Sequence, residues 1–369
     1  EEKRYSKELR SPGSLIEFIR SHYPTDKKIY LFIDGVQYLK NPINFISVVY
    51  SSELNLKIIV STFSDNFKQS NEYKQLKDKI DTYLLYSLSW QEYLNVKSGN
   101  NFERIFNFSK QKKIRNFYQK YKAAFEERLP DFLQWGSYPK VVRSKTNKEQ
   151  EAEIQRIFHQ TIEQEISGEI KEENLDTYLI FLRTLAKNIG QALNRNKISK
   201  QLDIHKRTVA RFVEITSSHF LFSFLQPFYT NSDKEISKML KIYGNDFGVI
   251  NYLAGNRPPE RLPVLLDESH ILNFVFHELC THRNQDNVYF YRTIAKAEID
   301  FIFETNSNVV PVEINYQENN KKSSVLLKNF VDNYQEAVER ALIITKDKLE
   351  INGLEVYLPL PLIPFVELR

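Results

Sequence analysis

The chain has 369 residues, with 51 Lys and Arg against 47 Asp and Glu for a net charge of +4. That length is too great for one ordinary core, so two or three domains are expected, and the mild basicity falls short of the blocky charge of an obligate nucleic-acid binder. A single cysteine, Cys280, excludes an internal disulfide framework and a Cys-based zinc cluster, and the absence of an apolar run of about 18 residues argues against a spanning helix, so a reducing cytoplasm and no membrane partner are expected.

Residues 14–22 (SLIEFIRSH) place apolar side chains at helical spacing, and KKIYLFID (27–34) follows as a short apolar run of the kind that buried parallel strands show. NPINFISVVYSSE (41–53) reads as a helix with Asn41 as its cap and Pro42 in its first turn. LKIIVST (56–62) is a second buried strand, and the order strand, helix, strand predicts a parallel pair with a right-handed crossover. TYLLYSLSWQEYL (82–94) predicts a third strand running into a helix. Residues 96–165 carry helical spacing, broken at LPDFLQWGSYPK (129–140), where Gly136 and Pro139 mark a turn.

TYLIFLRTLAKNIGQAL (177–193), KISKQLDIHKRTVARFVEIT (197–216) and HFLFSFLQPF (219–228) give a helix, a short helix, a tight turn, a longer helix and a hairpin, a winged-helix outline. Ile198, Leu202, Ile204, Val209, Phe212 and Val213 would face a core. Lys206, Arg207, Thr208 and Arg211 would face outward, as a recognition helix presents itself to phosphates and base edges. The same face could equally be solvated or pack against a neighbouring domain or a second copy. Beyond it, KIYGNDFGVI (241–250) reads as a strand, HILNFVFHELCTHR (270–283) as a helix, and VYFYRT, AEIDFIFE and VVPVEIN as three strands of a second α/β unit.

Asp300 is read as ending a strand, and Glu313 and Asn315 share a face of the next by the period of two. Glu298, Asp300 and Glu313 could hold a metal weakly and Arg292 could face a phosphate; alternatively Glu298 and Arg292 form a surface or sheet-edge pair and Asp300 caps a strand end. His205, His219, His270, His277 and His282 lack ligand spacing, so core or surface roles are expected of them, and Cys280 is expected to fill a core.

Taken together, LFIDGVQYLKNP, IIVSTFS, LYSLSWQEYL, WGSYPKVV, the 197–228 segment, KIYGNDFGV, NFVFHEL, YRTIAKAEIDFIF and VVPVEIN resemble, in order, a family of bacterial and archaeal AAA+-like ATPases. In that family an ATPase core precedes a winged helix and a nuclease-like domain. The resemblance implies an α/β multidomain fold: a partial AAA+-like parallel sheet at 1–95, a helical connector at 96–165, a winged helix at 166–235 and a restriction-endonuclease-like α/β domain at 236–369. It makes Asp34 the magnesium-coordinating aspartate and sets Ser61, Thr62 and Ser64 on the strand that senses the γ-phosphate.

Departures from the family pattern are concentrated in the chemistry. Where the family carries Asp-Glu-x-x-Gln, the chain reads Asp34, Gly35, Val36, Gln37, so the glutamate that polarises the attacking water is missing. A family Gly-Arg becomes Asp78-Lys79, and a lysine cannot supply the bidentate fork of an arginine finger. No glycine is followed by lysine, so the phosphate loop G-x-x-x-x-G-K-[ST] is missing from these residues. The chain begins with Glu1 rather than Met, and ATP with magnesium is expected only if that loop lies upstream.

In the C-terminal domain the resemblance makes Asp300 and Glu313 metal ligands of a PD-(D/E)XK site, with Asn315 in place of the lysine that activates water and Leu272 in place of the helical acid. The leading expectation is therefore a catalytically eroded AAA+-like protein with a binding or assembly role, and a nucleic acid, a protein partner or self-association as the partner classes. A metal-dependent nucleic-acid enzyme and a DNA-binding module are the alternatives.

Overall fold

Two runs rich in β-branched and aromatic residues, Ile29–Ile33 (β1) and Leu56–Val60 (β2), pair as parallel strands, with Ile29 opposite Leu56 and Ile33 opposite Val60. The computed structural model describes residues 10–24, 26–99, 102, 105–228, 239–255, 267–283, 287–305, 308–317 and 323–367. The chain divides into two units, one of residues up to Leu84 with Ser218–Phe220, the other of Leu85–Ser217 with Leu221–Arg369. The whole is mixed α/β, with a helical middle and a C-terminal sheet.

In the first unit, helix α1 (Pro12–His22) starts on Ser11, whose Oγ accepts from the Ser14 amide at 3.1 Å. Helix α2 (Pro42–Tyr50) follows β1 with proline at its first position, as expected, although the Asn41 side chain makes no cap hydrogen bond. Leu15 and Ile19 of α1, Phe45 and Val49 of α2, Ile33 and Leu54 form a small core on one face of the strand pair. On the opposite face Tyr30 and Phe32 stay 58% and 69% exposed. Helix α3 (Asn71–Leu76) follows, but the strand expected at 82–87 does not form. TYLLYS has strand composition, yet among the described residues no neighbouring strand pairs with it, and a strand without a ladder leaves its backbone groups to water.

The second unit begins with α4 (Trp90–Ser98), opened by a capping box of Ser89 and Glu92. Helix α5 (Gln111–Trp135) runs through Pro130, so the break expected across 129–140 starts only at Gly136. Helices α6 (Pro139–Arg143), α7 (Asn147–Gln160), α8 (Leu175–Ala186), α9 (Arg195–Leu202) and α10 (Lys206–Ser218) complete the middle. Strand β3 (Phe222–Leu225) pairs antiparallel with β4 (Lys241–Gly244). The stretch 241–250, read as one strand, is a strand only to Gly244. Asp246 then starts α11 (Phe247–Ala254) by accepting the amides of Gly248 and Val249 at 2.9 and 3.3 Å.

Helix α12 (Glu268–Arg283) leads into β5 (Val288–Arg292), β6 (Glu298–Glu304) and β7 (Val309–Ile314), then α13 (Val325–Asn333), β8 (Ala341–Thr345), β9 (Glu350–Asn352) and β10 (Glu355–Pro359). The strands form one sheet in the order β5-β6-β7-β8-β10-β9, antiparallel through β7 and parallel from β7 to β8 and from β8 to β10. Trp90, Phe125, Phe132, Phe274 and Phe365 belong to the core on this sheet, and a second core gathers Tyr178, Phe181, Val209 and Phe212 among the helices.

Two quoted stretches, WGSYPK and NDFG, lock together. Gly136 has φ +74°, and a Cβ on it would lie 2.2 Å from Asp246 Oδ1 and 2.6 Å from the Gly248 amide nitrogen. A Cβ on Gly248 would lie 2.3 Å from the Trp135 carbonyl oxygen. Side chains at either position would push the two backbones apart, and their close approach lets the buried Asp246 carboxylate also accept the Ser137 amide at 2.9 Å. Ser137 Oγ donates to Ser87 Oγ at 3.0 Å, and Ser87 continues to the Asn245 carbonyl and His277 Nε2.

Candidate functional site

The carboxyl ends of β1 and β2 stand side by side, the position at which open parallel sheets gather ligand-binding groups. Asp34 follows β1 and Ser61 follows β2; Ser61 Oγ donates to Asp34 Oδ1, and the Gly35 amide donates to Ser61 Oγ at 3.0 Å. The backbone crosses the same junction, from Ser61 N to the Ile33 carbonyl at 3.0 Å and from Val36 N to the Ser61 carbonyl at 3.0 Å. Asp34 and Ser61 are therefore brought together, with the carboxylate exposed.

The other residues singled out around Asp34 have different attachments. Thr62 Oγ1 donates to the Ser64 carbonyl at 2.8 Å and accepts the Ser64 amide at 3.2 Å, closing a local turn. Lys79 lies in the short helical turn Lys77–Lys79 with its ammonium 5.8 Å from the Tyr50 ring centroid. Gln37 sits in the turn after Gly35, and its buried amide has no hydrogen-bond partner among the described residues.

Gly35 is left-handed, with φ +73°, and a Cβ on it would stand 3.0 Å from the Tyr38 ring. A glutamate here would need a backbone conformation that L residues avoid and would have to displace that ring. Asp34 could face a magnesium ion, but no glycine-lysine pair exists anywhere in the chain to cradle a phosphate. The residues present do not by themselves fit ATP and magnesium.

At the C-terminal sheet, Asp300 is the third residue of β6 rather than its end, and its Oδ2 accepts the Ile314 amide at 2.8 Å. Burial lifts its pKa from 3.8 to about 6; the Ile314 amide and Lys241 oppose the shift, and Glu313 and Glu268 add to it. Glu313 and Asn315 are brought together, as Asn315 Nδ2 donates to Glu313 Oε1 at 3.1 Å. Both oxygens of Glu313 also accept the Ser324 amide at 3.2 Å, just ahead of α13. This carboxylate serves a helix start, where a negative charge is favoured.

Glu298 and Arg292 do pair, at 2.9 Å, and Glu298 also holds Lys241 at 2.6 Å. Lys241 was not anticipated. It is buried, lies 5.1 Å from the Phe290 ring centroid and contributes a positive charge that lowers the Asp300 pKa. The available signal was a lysine opening the otherwise apolar strand KIYG. Leu272, where the resemblance called for an acid, is buried in the core. Among the described residues no three His, Cys, Asp or Glu side chains gather so as to hold a metal ion. The donor set around Asp300 and Glu313 does not fit a catalytic magnesium.

In the middle of the chain, Ile198, Val209, Phe212 and Val213 are buried and Leu202 and Ile204 half-buried. Lys206, Arg207 and Arg211 are exposed on α10, and Thr208 is half-buried. His277 and Cys280 are core residues.

Three family models match successive stretches of the chain. Residues 1–94 match an AAA domain. Residues 126–260 match a domain of unknown function, DUF8612, and residues 271–363 another, DUF4143. No curated protein matches. The first of these matches makes the N-terminal stretch of the chain similar to an AAA domain. No helix among the described residues is long and apolar enough to cross a membrane.

Proposed function

We propose that the chain is a catalytically eroded member of an AAA-like ATPase family that acts by binding or assembly rather than by turning over ATP. The observation that carries this reading is Gly35: at the position where the resembled family places its water-polarising glutamate, the backbone is left-handed and Tyr38 occupies the space a side chain would need. Asp34 and Ser61 at the carboxyl edge of two parallel strands support an ancestral nucleotide pocket. ATP with magnesium remains the expected ligand only for a chain that also carries a phosphate loop.

The order helix, short helix, three-residue turn and longer helix supports a winged helix within 166–235, although the strand that pairs with β3, β4, lies beyond 235; helix, three-strand meander, helix and parallel strand supports a restriction-endonuclease-like domain within 236–369. The alternative of a metal-dependent nucleic-acid enzyme acting through Asp300 and Glu313 ranks second, because both oxygens of Glu313 are already engaged.

Incubated with ATP and magnesium, the protein should release no phosphate above a protein-free blank. Gly35→Glu should not raise that rate, since the missing phosphate cradle and arginine finger are untouched by the change. Sustained turnover by the unaltered protein would overturn the reading.

A further inference from the structure

Positive charge is concentrated in two stretches of the chain, 110–122 with six basic residues and no acidic one, and 195–217. Between residues 195 and 217 stand six of the 51 basic residues and two of the 47 acidic ones, so the rest of the chain is balanced at 45 of each. The six are Arg195, Lys197, Lys200, Lys206, Arg207 and Arg211, all exposed on α9 and α10, and none makes an ion pair among the described residues. Elsewhere in the same unit the half-buried Lys122, Arg128 and Arg156 and the exposed Lys171 pair with glutamates, whereas the exposed Lys112, Lys113 and Arg115 of α5 make no ion pair among the described residues. Unpaired cations crowded on two short helices repel one another, and a polyanion relieves that repulsion.

These charges sit on a fixed frame. Asp203 ends α9 in the left-handed conformation, and Ser199 Oγ donates to the Ile204 carbonyl at 2.6 Å, so the turn between the helices is held at three residues. Phe212 of α10 packs edge-on against Tyr178, ring centroids 5.1 Å apart, and Tyr178 and Thr216 share a hydrogen bond at 2.9 Å. The outward side of α10 is thus presented rigidly.

The surface is polar as well as basic. Among the described residues, no large apolar side chain between 181 and 293 is exposed. Protein interfaces carry an apolar, aromatic centre, and membrane-surface helices carry an apolar face; this surface has neither. A nucleic-acid duplex needs neither, because counterion release from phosphates drives its binding. Helix α10 has 13 residues, about 20 Å of helix, and it opens with Lys206 and Arg207 at its positive dipole end.

We propose that the outward side of α9 and α10 docks a nucleic-acid duplex, the N-terminal end of α10 entering a major groove while Lys197 and Lys200 of α9 reach the flanking phosphates. Arg211 plays a smaller part, since its guanidinium already donates to the Glu169 carbonyl at 2.8 Å. This surface is independent of the nucleotide reading of the N-terminal unit and can stand if that reading falls.

The test is fluorescence anisotropy of the full chain with a labelled mixed-sequence DNA duplex, across roughly 50–200 mM salt. The protein should bind with a steep salt dependence, and the variant Lys197→Gln, Lys200→Gln, Lys206→Gln, Arg207→Gln should lose at least about tenfold in affinity, with a log–log slope shallower by about 0.9 per phosphate contact removed. Arg211→Gln alone should lose less than about twofold, and replacing the exposed Lys112 and Lys113 of α5 with glutamine should change neither affinity nor slope. An unchanged circular-dichroism melt shows that the fourfold variant folds. Absence of binding at the lowest salt, binding by the fourfold variant equal to that of the unaltered protein, or tighter binding to phosphatidylserine vesicles than to the duplex would each overturn the proposal.

Discussion

IYLFI in β1 and ALIIT in β8 are the same kind of sequence, five residues of uninterrupted strand-forming character, yet they end in different surroundings. Every residue of β8 is buried between two parallel neighbours, whereas among the described residues β1 has one partner strand and leaves Tyr30 and Phe32 on an exposed face. An apolar run thus records what a strand can bury. What it does bury depends on how many strands and helices come to cover it, and parallel sheets are normally covered on both faces. The C-terminal sheet has that cover from its own unit; among the described residues the N-terminal pair has it on one face only.

The largest expected effect tests how tightly each unit fixes its backbone. Gly136 and Gly35 have nearly the same φ, +74° and +73°, but a Cβ meets Asp246 at 2.2 Å in the first and the Tyr38 ring at 3.0 Å in the second. Gly136→Ala should destabilise its unit by more than about 4 kcal/mol, because it strains the backbone and breaks the buried Asp246 cap together. Gly35→Ala should cost about 1–2 kcal/mol, mostly left-handed backbone strain with a small ring movement. Urea unfolding of each variant separates the two, and equal losses would remove the difference in packing on which the contrast rests.

The next pair tests the two strands directly. Ile344 of β8 is fully buried, and Ile344→Ala should cost about 2–4 kcal/mol through lost burial and a residual cavity. Phe32→Ala, at a side chain 69% exposed, should change stability by less than about 0.5 kcal/mol. Phe32→Ser should also lower the fluorescence of a hydrophobic dye added to the folded protein, which reports the bare face. A loss of several kcal/mol at Phe32 would mean that the face is covered in solution.

What could be read from sequence followed from local pattern. The strand, helix, strand order of the N-terminal unit, with Pro42 opening its helix, and the α9–α10 turn were legible from apolar spacing and punctuation. The strand expected at 82–87 failed because strand formation needs a partner elsewhere, and composition is silent about partners. The interruption read across 129–140 is narrower than that stretch: α5 continues through Pro130 and ends at Gly136, one of the two residues read as marking the turn. At the sites, spacing paired Glu313 with Asn315 but could not announce that the Ser324 amide would occupy Glu313, or that Lys241 would arrive from a strand some 57 residues upstream of Glu298 to neutralise it. Those are contacts between segments distant in sequence, each made by a single side chain, and a single side chain has no period.

The last expected effect concerns the cover over the C-terminal sheet. Because burial raises the Asp300 pKa from 3.8 to about 6, the folded protein holds that proton more tightly than the unfolded chain. Its contribution is therefore unfavourable and grows as pH rises from about 4 to about 6, reaching an upper bound of about 3 kcal/mol at neutral pH. Asp300→Asn keeps an oxygen to accept the Ile314 amide and loses the charge. It should be more stable than the unaltered protein by about 1–3 kcal/mol above pH 7 and within about 0.5 kcal/mol of it below pH 4, as read from denaturant midpoints across that range. If the two proteins instead tracked each other at every pH, Lys241 and the Ile314 amide would be compensating the burial in full. Asp300 would then belong with Glu298 as a carboxylate held by its partners, and the enclosed sheet would carry no buried-charge cost to set against the bare N-terminal face.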